Sequence, residues 1–200
     1  MIGFLKPRAH REALAEEHVD SSYRRHRLRV FIGIFVGYAG YYLVRKNFTL
    51  AMPGLIEMGY SKTDLGLALS GVSIAYGLSK FFMGSVSDRS NPKTFMALGL
   101  FCSSAVMIAM GTIPYATSSV SIMFALLLMN GWFQGMGWPP SGRVMVHWFS
   151  QSERGTKMAL WNVAHNVGGG LVGPIAILAV AMFADWHAIL YLHGVFALVI

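Results

Sequence analysis

Three cations sit where a membrane-length apolar sequence would normally exclude them. Arg45 and Lys46 lie within the run from Val30 to Met52, and Lys80 within the run from Leu65 to Ser87. A charge at the centre of a membrane helix costs about 2.5–3.5 kcal/mol even on the lenient insertion scale. Such a residue therefore either snorkels to the interface or meets an anion. All nine carboxylates (Glu12, Glu16, Glu17, Asp20, Glu57, Asp64, Asp88, Glu153 and Asp185) fall in the N-terminal segment, in loops or at run ends. Arg45 keeps polar company at helical spacing: Tyr38, Tyr42, Arg45 and Thr49 share one face. Ser73, Tyr76 and Lys80 repeat the pattern, and Asn162, His165, Asn166 and Gly169 form a third stripe. The chemistry such residues support is recognition of an oxyanion in a water-filled cavity. A guanidinium fork matches its oxygens bidentately, and a protonated imidazole donates to it. Two bland alternatives stay open: Arg45 and Lys46 marking the outer end of their helix, and Lys80 snorkelling to the near interface.

The elements that would carry these stripes follow from hydropathy. With 54% hydrophobic residues, 22 glycines and only 12% charged residues, the chain is too apolar and too poor in charge for a water-facing surface. Spans are expected at Val30 to Met52, ended by Pro53, then at Leu65 to Ser87 and Thr94 to Ile113. Further spans are expected at Val120 to Pro139, at Met158 to Phe183, and from Trp186 to Ile200, where the last is cut short. Residues 1–29 read as a basic arm, and residues 30–200 as a six-helix bundle. Lys and Arg concentrate on one side, with seven in the arm, two after the second span and three after the fourth. The opposite loops carry one, none and none. By the positive-inside rule the N-terminus is cytoplasmic.

The same counts exclude other functions. The net charge of +7 gathers at membrane flanks, which argues against nucleic acid. One cysteine, Cys102, rules out disulfide frameworks and Cys-based metal sites. No cofactor or metal is expected. Neither HxxxH nor paired carboxylates occur within the spans, against an integral-membrane enzyme, and no span carboxylate is available to carry a proton. Asp88, at the end of the second span, reads as a gating latch with Arg89, Arg143 and Arg154 as candidate partners. An anion at a helix C-terminus is disfavoured by the macrodipole and needs compensation. The alternative is a solvated turn residue.

Gly84-Ser85-Val86-Ser87-Asp88-Arg89, at the turn after the second span, resembles the signature loop of the major facilitator superfamily. Ser90-Asn91-Pro92-Lys93 departs from the more usual Gly-Arg-Arg. With Gly37-Tyr38, Tyr41 to Phe48, Ser73 to Lys80, Gly131 to Pro140 and Trp161 to Asn166, the chain resembles the organophosphate:phosphate antiporter family over all 200 residues. The resemblance implies an all-α integral membrane protein, the N-terminal six-helix half of a twelve-helix transporter in a bacterial inner membrane, with the C-terminal bundle absent. It implies exchange of glycerol-3-phosphate, inward, for inorganic phosphate, outward, by alternating access. Hexose phosphate or phosphoglycerate antiport, or a sugar-phosphate sensor, are the competing readings. Carried over, Arg45 would be one of two arginines gripping phosphate, aided by Lys80 and His165. Tyr38, Tyr42, Tyr76 and Asn162 would line the site, and Lys46 would close an outer gate against a carboxylate of the missing half.

Overall fold

The computed structural model describes residues 3–7 and 15–200, and what it shows of them is helical or turn. Seven α-helices follow one another: α1 (Glu16–Glu57), α2 (Lys62–Asp88), α3 (Pro92–Thr112), α4 (Val120–Gln134), α5 (Trp138–Trp148), α6 (Gln151–Phe183) and α7 (His187–Val199). Five stretches are long and apolar enough to cross a membrane: α1 from His18, α2, α3, α4 with α5, and α6. The apolar α7 is shorter. The all-helical membrane fold expected from composition is therefore the fold observed.

Local chemistry sets most boundaries. Ser61 and Ser150 form capping boxes with Asp64 and Glu153 at the starts of α2 and α6. Asn91 caps α3 ahead of Pro92, its side chain accepting from the Lys93 N–H at 3.1 Å. Arg143 donates to the carbonyls of Ser87 and Ser90, at 2.7 and 2.9 Å, closing the end of α2. Arg154 does the same for Val146 and Phe149 at the end of α5.

Three expected boundaries move. First, α1 does not stop at Pro53 but runs through it to Glu57. Proline removes one intrahelical donor, and the turn it loosens is held by packing, with Gly54 leaving the space that the Trp186 indole occupies. The stop comes at Gly59, whose φ of 101° permits the Tyr60 N–H to reach back to the Leu55 carbonyl. Second, α1 begins at Glu16, so the second half of the expected basic arm is helix; Arg8, Arg11 and Glu12 lie outside the described residues. Tyr23 and Arg27, one turn apart, fasten this extension. Tyr23 stacks on Trp148 and donates to its carbonyl at 2.7 Å, while Arg27 pairs with Glu153 and lies over Phe149. Third, the expected polar segment after the fourth span is almost wholly helical. The crossing jogs at Gly135 to Gly137 and resumes as α5, because Pro139 and Pro140 supply no donors to carbonyls of the preceding turn but fit the first turn of a new helix.

Close pairs α1 with α6, α2 with α4 and α3 with α7 build the bundle. Gly168 and Gly131 permit two of these approaches: a Cβ would strike the backbone of Ala39 and Val72 respectively. Polar side chains of α4 and α6 tie these helices to α1 by donating to its backbone carbonyls. Asn130 reaches Val44 at 2.9 Å, Gln134 reaches Tyr41 at 3.1 Å, and the Trp161 indole reaches Ile34 at 3.2 Å. The apolar core along α1 takes in Tyr38, Tyr41, Val44, Phe48, Ala51 and Leu55, while Tyr42 and Arg45 lie half-buried on the side that continues from Tyr38.

Candidate functional site

On that side, four helices bring cations and rings together. Tyr38 of α1 is buried against Trp161 of α6, ring centroids 4.6 Å apart, and meets Tyr42 edge-on at 5.7 Å. Tyr42 lies 5.5 Å from the His165 ring of α6 and 5.5 Å from the Arg45 guanidinium. Arg45 packs over Tyr76 of α2 at 3.9 Å. The Lys80 ammonium is 5.7 Å from the same Tyr76 ring and 4.9 Å from Trp138, the first residue of α5. A continuous chain of contacts thus runs from Trp161 through Tyr38, Tyr42, Arg45, Tyr76 and Lys80 to Trp138.

What these groups lack defines the site. Among the described residues neither Arg45 nor Lys80 pairs with a carboxylate; the ion pairs there are Arg27 with Glu153 and His187 with Asp185, both at bundle ends. Arg45 and His165 are half-buried and Lys80 is exposed. Faces of aromatic rings attract cations without neutralising them, so the guanidinium keeps its donors and the ammonium its charge. Two cations within reach of one ring, with no anion between them, repel each other. A ligand carrying two negative charges and several acceptor oxygens would relieve that repulsion. The arrangement is an open wall and not a closed pocket. A hollow of about 740 Å³ lies elsewhere, between α1, α3, α5 and α7 near Arg29 and Lys93, and shares no residue with the cluster.

The remaining sequence candidates fall outside this chain of contacts. Asn162 is exposed, next to Trp161 on α6, and makes no hydrogen bond among the described residues. Lys46 is exposed one residue beyond Arg45. Asp88 and Arg89 are exposed at the far end of α2, without an ion pair among the described residues, and Arg143 binds the flanking carbonyls of Ser87 and Ser90 instead of the Asp88 carboxylate. Two members were missed. Trp161 and Trp138 stand in the sequence only as aromatics within the motifs quoted above; an aromatic placed directly before two prolines at a helix restart was the available signal.

In the polar first turn of α6, ahead of the apolar run from Met158, burial has the largest single effect on the Glu153 carboxyl and raises it, but the Arg27 hydrogen bond, the Ser150 N–H, the charge of Arg27 and the Ser150 hydroxyl together outweigh it and hold the group below the usual carboxylate range.

Comparison with known proteins adds the family. The model of the Major Facilitator Superfamily matches residues 32–200. The glycerol-3-phosphate transporter of Bacillus subtilis (strain 168) is 58% identical over 200 residues, covering 100% of this chain and 45% of that protein. The glycerol-3-phosphate transporter of Haemophilus influenzae is 54% identical over 190 residues, covering 94% of this chain and 40% of its own length. The chain thus spans less than half the length of these relatives. Among solved structures, an inward-facing, unoccupied bacterial homologue of the human lysosomal transporter Spinster matches with a TM-score of 0.74 at 16% identity. That match covers 86% of this chain and 41% of the other, and it speaks to the fold alone.

Proposed function

The chain belongs to the major facilitator superfamily, and from that premise we propose that it forms one half of a membrane carrier exchanging glycerol-3-phosphate for inorganic phosphate by alternating access. The observation that carries the reading is the convergence of Arg45, Lys80 and His165 on Tyr42 and Tyr76 with no carboxylate among them. Arg45 holds phosphate oxygens through its planar fork, while Lys80 and His165 add charge and donors from two further helices. Tyr38, Tyr42 and Tyr76 line the site, and Asn162, exposed on the same side, reaches the glycerol moiety. A complementary half supplies the facing wall, as binding sites between transporter halves require.

Exchange follows from electrostatics. The empty cationic face resists enclosure in a low dielectric, and a bound dianion lowers that barrier, so the carrier turns over only when loaded. Lys46 closes the outer side against a carboxylate of the other half. Asp88 and Arg89, beside the carbonyls that Arg143 holds, belong to the cytoplasmic loop that moves. The basic end of the bundle faces the cytoplasm of a bacterial cell, where inner-membrane orientation follows the positive charge.

The test is reconstitution. The chain is co-assembled in proteoliposomes with the segment of the Bacillus subtilis relative that it does not match. The assembly should exchange labelled phosphate for external glycerol-3-phosphate and not for external sulfate. The chain alone should exchange neither. Phosphate uptake driven by a pH gradient without counter-substrate would replace exchange by proton symport. Substrate binding without flux would favour a sensor.

A further inference from the structure

Lys80 occupies a setting that its own flexibility should not preserve. Its four-carbon stem carries high rotamer entropy, and the Arg45 guanidinium shares the Tyr76 ring with it. The start of α5, where Trp138 is the first residue, adds the partial positive charge of a helix N-terminus. All three effects push the ammonium away. Among the described residues, the group on another helix that attracts it is the Trp138 indole, 4.9 Å from Nζ, and tryptophan offers the strongest ring face to a cation.

The backbones of the two residues are held in register. Gly135 lies so close to Ser79 and the Lys80 N–H that a Cβ there would collide with both, and the Ser79 hydroxyl donates to the Trp132 carbonyl. Gly135 to Gly137 then redirect the chain, and Pro139 and Pro140 fix the first turn of α5. The jog in this crossing thus delivers an indole to Lys80.

We propose that Trp138 is a positioning residue that, together with Tyr76, holds the Lys80 ammonium in the site as the second cation for the phosphate group. This rests on the exchange reading above for what the cation meets, but the contact itself is a property of the chain.

In the assembled transporter, Trp138→Leu should raise the KM for phosphate about tenfold with turnover within about twofold. Trp138→Phe should restore KM to within about threefold. Lys80→Gln should raise KM by itself, and adding Trp138→Leu to Lys80→Gln should cost less than about twofold more, because the indole then has no cation to hold. An equal loss from Trp138→Leu in both backgrounds, or an unchanged KM, overturns the proposal. If the wild-type assembly exchanges no phosphate, the exchange reading fails, and positioning is decided on the chain alone in detergent. With all tryptophans replaced by 5-fluorotryptophan, the ¹⁹F resonance absent from the Trp138→Phe spectrum should shift in Lys80→Gln. A resonance unmoved by Lys80→Gln overturns the contact whatever the flux.

Discussion

Two polar clusters adjoin α1 on neighbouring faces, and their difference separates structure from function. On one side Asn130 and Gln134 are 1% and 3% exposed, and their amides donate to the Val44 and Tyr41 carbonyls. Gln134 also reaches Ser103 and Asn130 at 3.4 and 3.5 Å. On the other side Arg45, Lys80 and His165 are more open, touch rings, and leave most of their donors free. In a medium without water a buried polar group finds its partner within the protein, as Asn130 and Gln134 do; Arg45, Lys80 and His165 are open enough for their free donors to meet a ligand. Residue type alone would have put an asparagine, a histidine and a lysine in one class.

The largest effect should come from Arg45→Lys in the assembled transporter. It keeps the charge but loses the fork, so exchange should fall by at least about a hundredfold. The melting temperature should hardly move, since Arg45 is tied into the bundle by ring contacts alone. Exchange near the wild-type rate would remove Arg45 from the site. Asn130→Ala should do the reverse. It loses an interhelical hydrogen bond and leaves a small void, at roughly 1–2 kcal/mol of stability, while exchange per folded molecule stays within about twofold. Unfolding measured in detergent against flux per folded molecule decides it, and collapse of exchange at unchanged stability would mean that the two clusters had been assigned the wrong way round.

Asp88 belongs to neither cluster, being exposed and unpaired among the described residues. Asp88→Asn should slow turnover several-fold and leave phosphate affinity within a few-fold. Unchanged turnover would make it a solvated turn residue, and a large loss of affinity would move it into the binding cluster.

How much of this was legible depended on whether the information was local. The spans and the Tyr38–Tyr42–Arg45 stripe depend on residues within a few turns of each other, and period and composition expose them. The two sides of α1 were legible as a stripe and its complement. The extension of α1 below Val30 was not, because it depends on Tyr23 and Arg27 meeting Trp148 and Glu153, more than a hundred residues away. Charge there outweighed aromatic content in any composition window. The jog at Gly135 to Gly137 hid behind a rule of thumb: two prolines usually end a helix, yet here they begin one. Trp138 over Lys80 needed both the jog and the register of α2, so no linear pattern displays it.

The smallest effect tests whether the α1 extension is a third kind of polar region, satisfied yet only half-buried. The Arg27–Glu153 pair holds the Glu153 carboxyl below its ordinary range in the folded chain. A group that releases its proton at lower pH when folded adds stability that is fully present above its ordinary, unfolded value. That stability is lost as pH falls through the folded value. Docking of the extension should therefore be constant from neutral pH to about 5 and weaken below the ordinary glutamate range. A nitroxide at Arg25→Cys, in a Cys102→Ala background, reports docking locally, so titration of Asp64 or Asp185 elsewhere does not confuse it. The label should become more mobile on acidification in the wild type. In Glu153→Gln it should begin more mobile and respond little to pH. Because the pair is only half-buried, about 0.5 M salt should reduce the difference between the two. A wild-type label whose mobility is flat down to pH 3 would show that the Tyr23–Trp148 stack, and not the ion pair, fastens the extension.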